Sequence, residues 1–162
     1  MKHIGMPLLL AFVATLLLTI IPMPGVFSGI KPLWVLLLLL YVQFYFADYF
    51  NLILVFSLGL LLDVLLATII GEHILALVLV SWIASAKARR FHFFSMGQQM
   101  GYLGFFGLLY QLIIVTIDAF LGLHVGLASL FGSAFITALS WPLLSLFIEG
   151  KKRWLKPREL PY

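Results

Sequence analysis

Cysteine is absent from the 162 residues. That excludes disulfides, thiolate metal sites and a cysteine nucleophile, and it leaves the redox compartment open. Charge is scarce as well: Lys, Arg, Asp and Glu make up 10% of the chain, against about 25% in soluble domains. The few acids stand apart, and no hydrolase elbow, phosphate loop or dinucleotide fingerprint lies among them. The sequence thus shows no catalytic equipment and asks for no cofactor or metal. Low-complexity tracts and internal repeats are also missing. What fills the chain is apolar, 64% of it, with a mean hydropathy of +1.16. A soluble core of this length cannot bury so much leucine and phenylalanine, whereas a bilayer can. The composition implies an integral membrane protein with no room for a soluble domain.

Cutting the apolar runs at their polar, Pro and Gly punctuation gives about six segments of near-spanning length. They lie near 4–21, 33–47, 50–69, 73–88, 100–121 and 126–148. Helices are expected, because lipid-exposed backbone must satisfy its own hydrogen bonds and the runs lack the alternation of barrel strands. The opening MKHIGMPLLLAFVATLLLTII has a basic start and an apolar run, but PMPGVF follows without a small-x-small cleavage site, so it reads as a retained first span. The expected organisation is a six-helix transmembrane domain over 1–149 and a basic tail over 150–162.

Lys and Arg set orientation. With a cytoplasmic N-terminus, the inside holds Lys2, Lys87, Arg89, Arg90, Lys151, Lys152, Arg153, Lys156 and Arg158, and the outside only Lys31. The basic tail beside Trp154 then suits anionic lipid headgroups rather than nucleic acid. On this assignment the outer connections are PMPGVFSGIK, GEH and GLHV. All three are too short to form an external domain, and GEH and GLHV are expected to be too short, and too poor in ligand-holding groups, to cover a pocket.

Membrane helices associate through small residues and interhelical hydrogen bonds. In GLLLDVLLATIIG, Gly59, Asp63, Ala67 and Gly71 recur at every fourth position, which places them along one helix face. A charged side chain at the bilayer centre costs about 2.5–3.5 kcal/mol on insertion scales, so Asp63 is expected to face the bundle interior. The simplest role is an interhelical hydrogen bond that an isosteric amide would largely replace. A proton relay would need partners at depth, and only Asp118 is available. Similar stripes are Gly101, Gly104, Gly107, Gln111 and Asp118 in the fifth segment, and Gly126, Ser129, Ser133, Thr137 and Ser140 in the sixth. Ala11, Thr15 and Thr19 do the same in the first. Leu8 to Leu10 and Leu36 to Leu40 are expected to face lipid. FHFF at 91–94, beside Arg89 and Arg90, reads as an anchor in the cytoplasmic interface. His3, His73, His92 and His124 lack metal-ligand spacing.

The order of these motifs resembles the MreD family of rod shape-determining membrane proteins. It is carried by IIPMPGVFSGIKPLWVLLLLLY at 20–41, GLLLDVLLATIIGEHILAL at 59–77, a span with Asp118, and WPLL at 141–144. Where the family has Arg-Pro, a polar residue and Trp, this chain has Lys31, Pro32, Leu33 and Trp34. The resemblance implies an all-α fold similar to the six-helix S components of vitamin transporters, in the bacterial inner membrane with both termini cytoplasmic. It implies a non-enzymatic scaffold of the cell-elongation machinery that binds an MreC-like single-span protein. Through that partner it would meet MreB, RodA and a transpeptidase of peptidoglycan synthesis. Structural or partner-binding roles then fall on Pro32, Trp34, Gly59, Asp63, Gly71, Asp118, Trp141 and Pro142. The alternative reading is an S-component-like transport subunit that holds a small ligand or lipid between its helices.

Overall fold

The computed structural model describes residues 5–21, 31–46, 50–86, 88–91, 93–122 and 127–155. Six long helices and one single-turn helix run through them, and among the described residues there is no strand. They are α1 (Gly5–Ile20), α2 (Trp34–Tyr45), α3 (Leu52–Leu66), α4 (Glu72–Ser85), α5 (Ala88–Phe91), α6 (Met96–Phe120) and α7 (Leu127–Leu155). The long helices coincide with the six apolar segments, and α7 continues past the last apolar stretch into the basic residues. By length and composition, Met96–Phe120 is the one described helix able to cross a membrane unaided. The other apolar helices are shorter. At about 1.5 Å per residue, α2 rises only about 18 Å, against a hydrocarbon core of about 30 Å.

Local chemistry sets the helix ends. The Asn51 side chain accepts the Ile53 N–H at 3.3 Å and starts α3. Ser95 and Gln98 form a reciprocal capping box at the start of α6. Helix α3 stops at Ala67, which takes the left-handed conformation (φ 51°), and the Thr68 N–H then reaches back to the Asp63 carbonyl at 3.1 Å. The fourfold stripe therefore breaks. Gly59 and Asp63 share a helix face, but Ala67 is the cap and Gly71 (φ 107°) is the first residue of the next helix. No propensity signal in TIIG outweighed the apolar run, so the sequence pattern overran the turn.

Helix α2 is the centre of the bundle, enclosed by α1, α4, α5 and α7. Val35 to Phe44 are all buried, so Leu36 to Leu40 do not face lipid as expected. The reason is all-round hydrophobicity, which suits a core helix better than a peripheral one. Leu9 and Leu10 of α1 do lie on the outside, as do Phe105 of α6 and Phe131 and Phe135 of α7. Gln43 ties α2 to α4 by donating to the Ser81 carbonyl at 2.7 Å.

The small residues act where two backbones meet. A Cβ on Gly59 would stand 2.5 Å from the Ile74 Cα, so α3 and α4 approach to a distance that only glycine permits. Gly104 and Gly107 face Ala138 and Ala134, which sets the α6–α7 contact. Gly101, which the stripe included, meets open space. Ser133, Thr137 and Ser140 are buried on α7, while Gly126 lies outside the described residues.

At the end of the bundle near α5, aromatic rings take over. Phe91 stacks on Phe44 with centroids 4.1 Å apart and meets Trp141 edge-on at 5.7 Å. Trp141 is fully buried and donates through Nε1 to Gln99 Oε1 at 2.9 Å. The FHFF segment is thus split: Phe91 belongs to the core, Phe94 stacks on Tyr102, and only Phe93, 88% exposed, faces outwards as an anchor would. His92 lies outside the described residues.

Glycine substitutions separate these cases. Gly59→Ala is expected to lower stability by about 1–3 kcal/mol through overpacking against the Ile74 backbone. Gly101→Ala should be neutral or stabilising by up to about 1 kcal/mol, from helix propensity alone. Unfolding of the two variants in detergent checks this, and equal midpoints would show that α3 and α4 do not approach so closely.

Candidate functional site

Asp63 is 1% exposed and lies one turn before the end of α3. The chain reverses at Ala67, and the N-terminus of α4 arrives directly over its carboxylate. Oδ2 accepts the Gly71 N–H at 2.6 Å, and Oδ1 accepts the His73 N–H at 2.9 Å. The His73 ring completes the set, with Nδ1 at 2.9 Å from Oδ1, which assigns the proton to Nδ1. Thr68 Oγ1 sits near both, at 3.4 Å from Oδ1 and 3.3 Å from the ring nitrogen.

The partners explain why a carboxylate is there. The first N–H groups of a helix have no intrahelical acceptor and carry its positive dipole end. Gly71 has no side chain to cap α4, so Asp63 supplies the cap from the neighbouring helix. The expected interhelical hydrogen bond is present, and it goes to backbone. The same set gives Asp63 an ionisable neighbour, His73, which spacing in the sequence did not suggest.

Beside this cap opens a cleft of about 370 Å³. Pro32 and Trp34 enter it from the connection before α2, and Thr68, Glu72 and His73 from the α3–α4 turn. Tyr110, Gln111 and Asp118 come from α6. The connection is pinned to α7 by two hydrogen bonds: the Lys31 N–H donates to Ser133 Oγ at 3.1 Å, and the Leu33 N–H to Thr137 Oγ1 at 3.0 Å. That gives the serine and threonine stripe its purpose. GEH and GLHV were expected to be too short to cover a pocket; the cleft found here is walled by the helices themselves and by residues 31–33.

The site residues named from sequence divide into three groups. Asp63 and Gly71 are bonded to each other, and Gly59 lies one turn below them. Pro32, Trp34 and Asp118 line the adjoining cleft. Trp141 and Pro142 belong to the aromatic end and do not take part; the Ser145 hydroxyl donates there to the Pro142 carbonyl at 3.0 Å. Lys31, Glu72, His73 and Tyr110 were missed as site residues. GEH read as a mere connection, and nothing in a single sequence marks Tyr110 as buried against it. Among the described residues, no group of three or more His, Asp or Glu is placed to hold a metal ion.

The geometry also overturns the expectation that an amide would do. Both Asp63 oxygens accept backbone N–H groups, so an Asn side chain must turn its NH2 towards one of them. Asp63→Asn is expected to destabilise by about 1–3 kcal/mol, the cost of one unsatisfied buried donor. Asp63→Leu, which orphans both backbone donors, should cost roughly 2–6 kcal/mol. Denaturant unfolding in detergent measures both, and an Asn variant as stable as the parent would rule out the double cap.

No solved structure matches the chain. The sequence itself does match, over residues 2–150, a family of membrane proteins with a role in rod-shape determination. Matched across nearly its whole length to the family model described as rod shape-determining protein MreD, the chain belongs to that family.

Proposed function

We propose that the protein is a non-enzymatic scaffold of the cell-elongation machinery. In this reading it crosses the inner membrane six times with both termini in the cytoplasm. It binds an MreC-like single-span protein and through it meets MreB, RodA and a transpeptidase of peptidoglycan synthesis. The observation that carries the reading is the family match over residues 2–150, joined to a perimeter of exposed apolar side chains around a polar seam. A perimeter carrying Leu9, Leu10, Phe105 and Phe135 needs lipid or a partner's apolar helix to cover it.

Six crossings are supported by the coincidence of the six long helices with the six apolar segments. The short α2 does not count against them, because protein surrounds it and it has no lipid thickness to match. Local thinning or tilt accommodates the other short helices. The orientation rests on Lys and Arg, of which Lys31 alone falls on the outer side. Pro32 and Trp34 hold the first connection in place, and Gly59, Asp63 and Gly71 hold the α3–α4 hairpin. Trp141 and Pro142 shape α7. The cleft beside Asp63 favours a second reading, in which the protein also holds a small ligand or lipid between its helices as S components do.

Topology reporters at Gly97 and after Tyr162 should read cytoplasmic, and one inserted just before Lys31 should read external. A C-terminus on the outside would require an odd number of crossings and remove the six-span arrangement. The scaffold reading is tested by purification from membranes in mild detergent. An MreC-type single-span protein should co-purify and raise the unfolding midpoint of the pair. Recovery of intact protein without such a partner, or with a transport ATPase instead, would turn the conclusion towards the transport reading.

A further inference from the structure

The cleft beside Asp63 contains ionisable groups that the α3–α4 turn does not use. Glu72 follows the Gly71 cap, is only 4% exposed, and lines the cleft with Asp118 from the other end of α6. Two like-charged groups lining one cleft repel each other. Among the described residues the one ion pair is His73 with Asp63, so neither Glu72 nor Asp118 is paired with a cation. Glu72 donates its own N–H to the Ile69 carbonyl at 3.1 Å, and its side chain lines the cleft. Burying such a group is costly unless a charge or donors answer it.

The other walls limit what can answer it. Lys31, fixed to α7 through its backbone, brings one positive charge to the same cleft. Trp34 contributes an aromatic ring, a surface that favours cations. A plain anion would meet two carboxyl groups, and a plain cation would meet Lys31. A divalent metal would find too few ligands. A molecule with an ammonium group at one end and an anionic group at the other satisfies both signs, and an ammonium brings three donors. The volume of about 370 Å³ is that of a small-molecule site.

We propose that this cleft binds a zwitterionic amine, with its ammonium group taken by Glu72 and Asp118 and its anionic group by Lys31. The same chemistry occurs in the headgroup of an ethanolamine phospholipid and in free amino-acid-like solutes. The inference rests on the second reading above and gives its ligand a chemistry, and it holds whichever partner the outer helices contact.

The full chain, purified in detergent and stripped of lipid, is titrated with O-phosphoethanolamine while its thermal unfolding is followed. In a second arm it is placed in nanodiscs of phosphatidylglycerol with and without phosphatidylethanolamine. A saturable rise in midpoint with the soluble zwitterion identifies a solute-type site. A rise confined to the phosphatidylethanolamine arm identifies a lipid headgroup site, and either supports the proposal. Glu72→Gln and Asp118→Asn should each weaken the effect on the order of tenfold, as expected for the loss of one desolvated charge contact. Lys31→Gln should weaken the zwitterion and spare plain ethanolamine, so the three variants report independently if one fails to fold. Absence of a saturable rise in both arms, or a rise that all folded variants retain, overturns the proposal.

Discussion

The contact on which the rest of the structure depends is that between the Asp63 carboxylate and the first turn of α4. One residue serves both helices: its backbone carbonyl accepts the Thr68 N–H at the end of α3, and its carboxylate accepts two backbone N–H groups at the start of α4. An α-helix ending in an apolar setting exposes donors that lipid cannot satisfy. Here the acceptor comes from a neighbouring helix and not from the chain's own N-cap. Gly71 can therefore be glycine, which its positive φ favours, and Gly59 can be glycine, which the Ile74 backbone demands. Three separate sequence features thus serve one hairpin.

Much of this was legible in the sequence. An isolated Asp in an apolar run has to face inwards, and small residues on α6 and α7 have to mark a close contact. Gly104 and Gly107 do so, but against Ala138 and Ala134, while Ser133 and Thr137 of the expected stripe bond the connection before α2. The turn between α3 and α4 was not legible, because Ala67 adopts a left-handed cap without being Gly or Asn. Fourfold spacing across a turn looks the same on paper as fourfold spacing along a helix. The position of α2 was hidden for a related reason. A uniformly apolar segment is compatible with lipid on every side or with protein on every side, and its burial depends on where five other helices go.

The cleft was missed because it belongs to no single segment. Its polar side chains come from the connection before α2, the α3–α4 turn and the far half of α6. Sequence reading weighs each connection by its length, and GEH is too short to form a lid. Yet Glu72 and His73 are the first two residues of α4, held rigidly by the Asp63 cap. A site built on helix ends needs no loop. This also explains why Asp118, which looked like a lone second carboxylate, shares a cleft with Glu72 that spacing could not suggest.

The bundle is consequently divided along its length into two chemically different halves. One end is polar, with backbone donors, hydroxyls and carboxyls arranged around a cleft whose walls are fixed by α7 through Ser133 and Thr137. The other end is aromatic, with Phe44, Phe91 and Trp141 locked around α2 and polar ties from Trp141 to Gln99 and from Gln43 to the Ser81 carbonyl. Interiors packed in this way are poorly compressible, so the aromatic end acts as a rigid base. The α3–α4 hairpin, whose turn carries the Asp63 cap, meets the rest of the bundle through α1, α2 and α6. The α3–α4 turn is thus held by its own cap and by neighbouring helices, which fixes Glu72 and His73 as part of the cleft wall.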